Sequence, residues 1–140
     1  MARRRPGLAA MICCVLAGCA QTAGTPANVV IGARPPKPIE APWLYDTDPP
    51  KIERIWLSER DFHAHDLARV RVTTTTNAAS VEARIESYGR ALRRASAGQF
   101  VGALRVPTLP PFLRRSFALR FIVRNSLGIS TQEAVEVQLR

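Results

Sequence analysis

SFALRFIVRNSLG, residues 116–128, decides the fold. Phe117, Leu119, Phe121 and Val123 alternate with Ala118, Arg120, Ile122 and Arg124, and Asn125-Ser126-Leu127-Gly128 then carries turn chemistry. Successive side chains of a strand point to opposite faces, so this spacing sets four bulky apolar residues on one face and two arginines, an alanine and one isoleucine on the other. A strand with one buried and one wet face belongs to an antiparallel sheet.

The same period of two runs through most of 51–140. Ala68, Val70 and Val72 alternate with Arg69, Arg71 and Thr73, and Val81, Ala83 and Ile85 with Glu82, Arg84 and Glu86. Phe100, Gly102, Leu104 and Val106 oppose Val101, Ala103 and Arg105 before Pro107 ends the strand, and Val135, Val137 and Leu139 face inward after the turn. With a strand over 52–57 and a short one over 90–94, about seven strands recur at the spacing of a sandwich. No segment reads as a long amphipathic helix, which disfavours a helical bundle or a βαβ fold. About 90 residues are enough to bury a modest core without staples. The fold class expected is all-β, a seven-strand antiparallel β-sandwich.

GQFVGALRVP (98–107) followed by SFALRFIVRNSLG resembles the E strand, F strand and F–G turn of bacterial immunoglobulin-like domains. That resemblance covers 98–128 and implies an Ig-like sandwich. The antibody branch is excluded, since its paired cysteines around a core tryptophan are absent. A transthyretin-like sandwich, as in some secretion-system lipoproteins, fits the pattern as well.

Ahead of the domain, Arg3, Arg4 and Arg5 precede an uncharged apolar run over 8–17, the layout of a secretory signal peptide. At ~10 residues the run is half of what a membrane-spanning helix needs. Leu16-Ala17-Gly18-Cys19 then resembles the lipobox of bacterial lipoproteins. By that resemblance 1–18 is a signal peptide, and Cys19 becomes the first residue and carries fatty acyl chains such as palmitate. Two or more chains hold a protein firmly on a membrane where one does so only marginally. Ala20 stands where lipoproteins retained in the inner membrane commonly carry aspartate, which favours the outer membrane, facing the periplasm. Cys13 and Cys14 would leave with the signal, so the mature chain has no thiol pair for a disulfide, a thiolate metal cluster or CxxC redox chemistry.

Residues 19–50 hold most of the chain's 11 prolines and no apolar periodicity. Proline fixes φ and removes a donor, so this stretch reads as a disordered, extended linker between lipid and domain, gaining ~3 Å per residue. Trp43-Leu44-Tyr45 within it is either a docking motif or a cluster folded back on the domain edge; the second is preferred, because exposed aromatic clusters are uncommon.

The chain carries a net charge of +9, which falls to +6 once the three signal arginines are removed. In an Ig-like arrangement the outward residues Glu82, Arg84, Glu86, Arg120, Arg124 and Glu136 share one sheet, where cross-strand pairing accounts for them. Arg69, Arg71 and Arg105 lie on the other sheet with no acid among them, a one-sign field suited to an anionic partner. Arg93-Arg94 and Arg114-Arg115 read as strand-end and loop charges. Export to the envelope argues against nucleic acid as the partner of this basic chain.

Both histidines fall in DFHAHD, residues 61–66. His63 and His65, with Asp61 and Asp66, are candidate ligands for zinc or copper, although nothing in the sequence supplies a third ligand from elsewhere. No nucleophile elbow, glycine-rich phosphate loop or paired-carboxylate motif is present. The expectation is a non-enzymatic, cofactor-free, lipid-anchored envelope protein. It would present its sandwich to an envelope protein partner, as an accessory or assembly subunit. Metal binding at the histidines and attachment to an anionic envelope polymer are the alternatives.

Overall fold

The computed structural model describes residues 28–108 and 110–140. The signal segment, Cys19 and the first part of the linker, through residue 27, lie outside the described residues. Ten strands are present among the described residues: β1 (Val29–Ile31), β2 (Ile52–Leu57), β3 (Asp61–Phe62), β4 (Leu67–Thr74), β5 (Ala78–Ile85), β6 (Tyr88–Ala91), β7 (Arg93–Ser96), β8 (Gln99–Arg105), β9 (Ser116–Asn125) and β10 (Ser130–Leu139). They form one sheet in the order β1-β2-β4-β8-β7 and a second in the order β3-β10-β9-β5-β6. No helix there is long and apolar enough to cross a membrane.

The all-β expectation holds, but seven antiparallel strands become two five-stranded mixed sheets. β1 pairs in parallel with β2, and β3 in parallel with β10. At 3 and 2 residues these edge strands are too short to carry a readable alternation. The single strand expected over 90–94 is in fact two. β6 is the edge of one sheet, β7 the edge of the other, and Leu92 between them is where the chain crosses over.

The long strands place their residues as the period of two requires. Ile55, Leu57, Val72 and Phe100 from one sheet meet Val81, Phe121, Val123, Val135 and Val137 from the other, each 1% exposed or less. Burying such a side chain contributes roughly 1.5–3 kcal/mol. Leu92 joins this core from the crossover, its amide donating to the Val81 carbonyl at 2.8 Å. Gly102 makes the room, since a Cβ there would stand 2.5 Å from Leu92 Cδ2.

Residues 28–50 correct the expectation of a disordered linker reaching Pro50. After β1 the proline-rich chain lies as a strap over the outer face of the first sheet and ends on one end of the sandwich. Prolines give the strap no ladder of its own, so the sandwich supplies the donors. Trp56 Nε1 donates to the Gly32 carbonyl at 2.9 Å, Arg71 to Pro36 at 3.3 Å, Gln99 Nε2 to Ile39 at 2.9 Å and the Thr76 amide to Pro42 at 2.9 Å. Gly98, at φ +68°, leaves space for Ala41, whose Cβ a side chain at 98 would approach to 2.5 Å.

Trp43 and Tyr45 differ from the preferred reading too. Their rings meet edge to face at 4.3 Å between centroids, yet they stay 64% and 62% exposed. The strap is held at this point by backbone groups, the Leu44 amide donating to Thr76 Oγ1 at 3.2 Å, and not by the aromatic rings.

Candidate functional site: an arginine-lined groove

The outer face of the first sheet is built from one cross-strand row and its neighbours. Val30, Trp56, Arg71, Val101 and Arg93 stand side by side across all five strands, and Arg69 lies opposite Ala103 in an adjacent row. β8 contributes only short side chains here, Val101 and Ala103. With strands ~4.8 Å apart, Arg71 and Arg93 are separated by roughly 10 Å across that low floor. Long side chains flanking short ones make a groove, closed at one side by Pro35 of the strap and at the other by Arg90 and Ala91 of β6. Its volume is about 510 Å³.

Four arginines, Arg69, Arg71, Arg90 and Arg93, line this groove and no acidic residue does. None of the four forms an ion pair with a carboxylate among the described residues, where the resolved pairs involve Arg84, Arg115, Arg124 and Arg140. Guanidinium groups held in a partly walled space favour planar, bidentate contact with carboxylate or phosphate.

The opposite face carries both signs of charge, and its ion pairs centre on Glu82. Glu82 accepts from Arg84 at 2.7 and 3.1 Å and from Arg124 at 3.4 Å. The Arg84 hydrogen bonds, with those of Arg124 second, hold the Glu82 carboxyl below the usual carboxylate range. Folding therefore favours its ionised form. The stabilisation is complete above about pH 4.5, the ordinary value, and is lost as pH falls through the lowered one. Glu82→Gln should remove that part of the acid-induced loss of stability while changing the slope little above it, as read by urea unfolding across a pH series. An unchanged acid limb would show that the pair does not hold in solution.

Of the sequence candidates, Arg69 and Arg71 are in the groove and Arg105 is not: it pairs with Leu67 farther along β4 and β8. Arg90 and Arg93 were missed as site residues. Three apart in one strand, they would point to opposite faces. The crossover at Leu92 puts them on edges of different sheets, so an inward-directed Arg90 and an outward-directed Arg93 border the same gap.

The histidine loop is brought together only in part. The His63 amide donates to Asp66 Oδ2 at 2.6 Å and its ring nitrogen Nδ1 lies 3.5 Å from the same oxygen, whereas His65 Nε2 meets Thr108 Oγ1 at 3.2 Å and Asp61 lies 3.4 Å from Arg140. His65 takes a φ of 73°, which turns the loop between its neighbours. Among the described residues, no group of three or more histidine, cysteine, aspartate or glutamate side chains is placed to hold a metal ion. Cys19 lies outside the described residues.

The chain matches no known family model and no curated protein.

Proposed function

We propose that this is a non-enzymatic, lipid-anchored protein of a bacterial envelope whose Ig-like sandwich engages an acidic surface of an envelope protein partner through the arginine groove. The observation that carries the reading is the unneutralised set Arg69, Arg71, Arg90 and Arg93 around a floor of small residues, set against an opposite face where Arg84 and Arg124 share Glu82. The Ig-like assignment rests on strand order. β2, β4, β8 and β7 follow one another as A, B, E and D do in that fold, and β10, β9, β5 and β6 as G, F, C and C′. Attachment rests on the resemblance of Leu16-Ala17-Gly18-Cys19 to a lipobox, and Ala20 points to the periplasmic side of the outer membrane.

Reversing Arg69, Arg90 and Arg93 to glutamate should weaken capture of the partner from solubilised envelopes by about a hundredfold or more, because like charges set against each other cost several kcal/mol. Arg105→Glu, outside the groove, should have little effect, and both variants should unfold near the wild-type temperature. Cys19→Ser should release the protein from membranes. Capture that survives the triple reversal would remove the groove from the account. The groove also suits an anionic envelope polymer; in that case binding is retained by purified polymer and falls steeply with salt.

A further inference from the structure

The sandwich core is sealed except beside the crossover. Toward the end where the strap lands, Val72, Val81, Phe100 and Val123 are fully buried. Toward the opposite end Leu57, Phe62, Val106 and Val137 are buried as well, whereas the inward residues Val70, Ala83, Ile85, Leu104, Leu119 and Leu139 are only half-buried. The cause is the crossover. β7 pairs with Gln99, Phe100 and Val101 of β8, so from Gly102 to Arg105 the edge of β8 facing away from β4 has no strand beside it among the described residues. β6 meanwhile stays with β5 in the other sheet. Between β6 and that bare edge the core opens as an apolar cleft of about 100 Å³.

The cleft and the arginine groove meet at its mouth. Arg69, Arg90, Gly102 and Ala103 line both. Arg90 pairs with Ala83 across the β5–β6 ladder and so shares the face of the inward residues, while the edge position keeps it exposed and without a carboxylate partner among the described residues. Tyr88, two residues away on the same face and 60% exposed, stands on the rim. An apolar slot with cations at its mouth is complementary to an anionic amphiphile. An apolar cavity of about 150 Å³ admits benzene, so this one holds the last few carbons of a chain and not a whole long tail.

We propose that the cleft is a binding site for a free single-chain carboxylate, its alkyl end inserted between the sheets among Val70, Ala83, Ile85 and Leu104 and its carboxylate held by Arg90 and Arg69. This site shares Arg69 and Arg90 with the partner surface proposed above, but its apolar part lies between the sheets and its occupancy does not depend on that reading. The carboxylate supplies a partner for the exposed guanidinium of Arg90, and the alkyl chain covers the core residues that the crossover leaves half-buried.

The test is calorimetric titration of the full chain carrying Cys19→Ser, so that a lipid on that residue does not compete, with butanoate, hexanoate, octanoate and octanol. Affinity should rise about fourfold per added methylene, the factor expected for burying one, and then level off once the cleft is filled. Octanoate should bind about tenfold more tightly than octanol, as expected for losing a charge-assisted hydrogen bond. Arg90→Gln should remove that preference while leaving octanol binding unchanged. Ala83→Phe, which fills the slot, should abolish binding of all four. Should that variant fail to fold, backbone amide shifts in the wild type serve instead, and octanoate should perturb Ala83, Ile85 and Leu104. Equal binding of octanoate and octanol, no dependence on chain length, or shifts confined to Val101 and Trp56 on the outer face would overturn the proposal.

Discussion

Trp56→Ala is expected to destabilise the protein by about 3–5 kcal/mol, the range for truncating a buried tryptophan. Trp56 sits in register with Arg71, on the face of its sheet that would ordinarily be wet, yet it is 5% exposed. The burial comes from the strap. Pro36, Lys37, Pro38 and Ile39 lie beside it, and the indole nitrogen donates to Gly32. Truncation thus empties the space under the strap and leaves a carbonyl without its donor. In thermal unfolding this corresponds to a fall on the order of 15 °C for a domain of this size. Trp56→Phe keeps most of the buried area and should cost far less. A loss below about 1 kcal/mol for the alanine variant would mean that the strap does not rest on the sheet, since an exposed side chain costs little to remove.

Asn125→Ala is expected to cost roughly 2–4 kcal/mol, because one buried amide closes two structures at once. Its Nδ2 donates to the carbonyls of Asp46 and Asp48 at 2.7 and 3.2 Å, and its Oδ1 accepts from the Leu127 and Ile129 amides at 3.0 and 2.8 Å. Each such bond contributes about 1 kcal/mol net, and a buried partner left unsatisfied costs more. Asn77 supports the same stretch of the strap, donating to Tyr45 and to the shared Asp48 carbonyl at 2.9 Å each while accepting from Thr75 Oγ1 at 2.7 Å. Asn125→Asp separates this role from mere packing. The size is kept, but a carboxylate oxygen replaces the donor and faces two carbonyl oxygens. It should therefore destabilise more at neutral pH than in mild acid, where the carboxyl is protonated. Urea unfolding of both variants at the two conditions checks the pattern. Equal effects of Asn125→Asp across pH would contradict the hydrogen-bond assignment.

Much of the sandwich was legible because half-buried strands write a period of two into the sequence. Each inward residue named from the alternation, from Ala68 to Leu139, falls on the inner faces. The edges were not legible. β1 and β3 are too short for a period, and the β6–β7 crossover turns on Leu92, whose role is set by the room Gly102 leaves for it and not by any local signal. The strap was misjudged for a related reason. Prolines do preclude a ladder within the segment, but they leave its carbonyls as acceptors, and the donors that hold them, on Trp56, Arg71, Asn77, Gln99 and Asn125, come from strands and a turn distant in the sequence. Of the site, Arg69 and Arg71 were readable as an outward pair on one strand. Arg90 and Arg93 were not, because only the change of sheet brings them to the same groove.

The most direct test of the arginine groove as the functional surface is site-specific photo-crosslinking in intact envelopes, with a photo-reactive residue placed at Ala103 on the groove floor or at Gln132 on the exposed face of the other sheet. The account predicts a discrete adduct from position 103, none from 132, and loss of the adduct when Arg69, Arg90 and Arg93 are changed to glutamate. No adduct at 103, or adducts at both positions that survive the charge reversal, would contradict it.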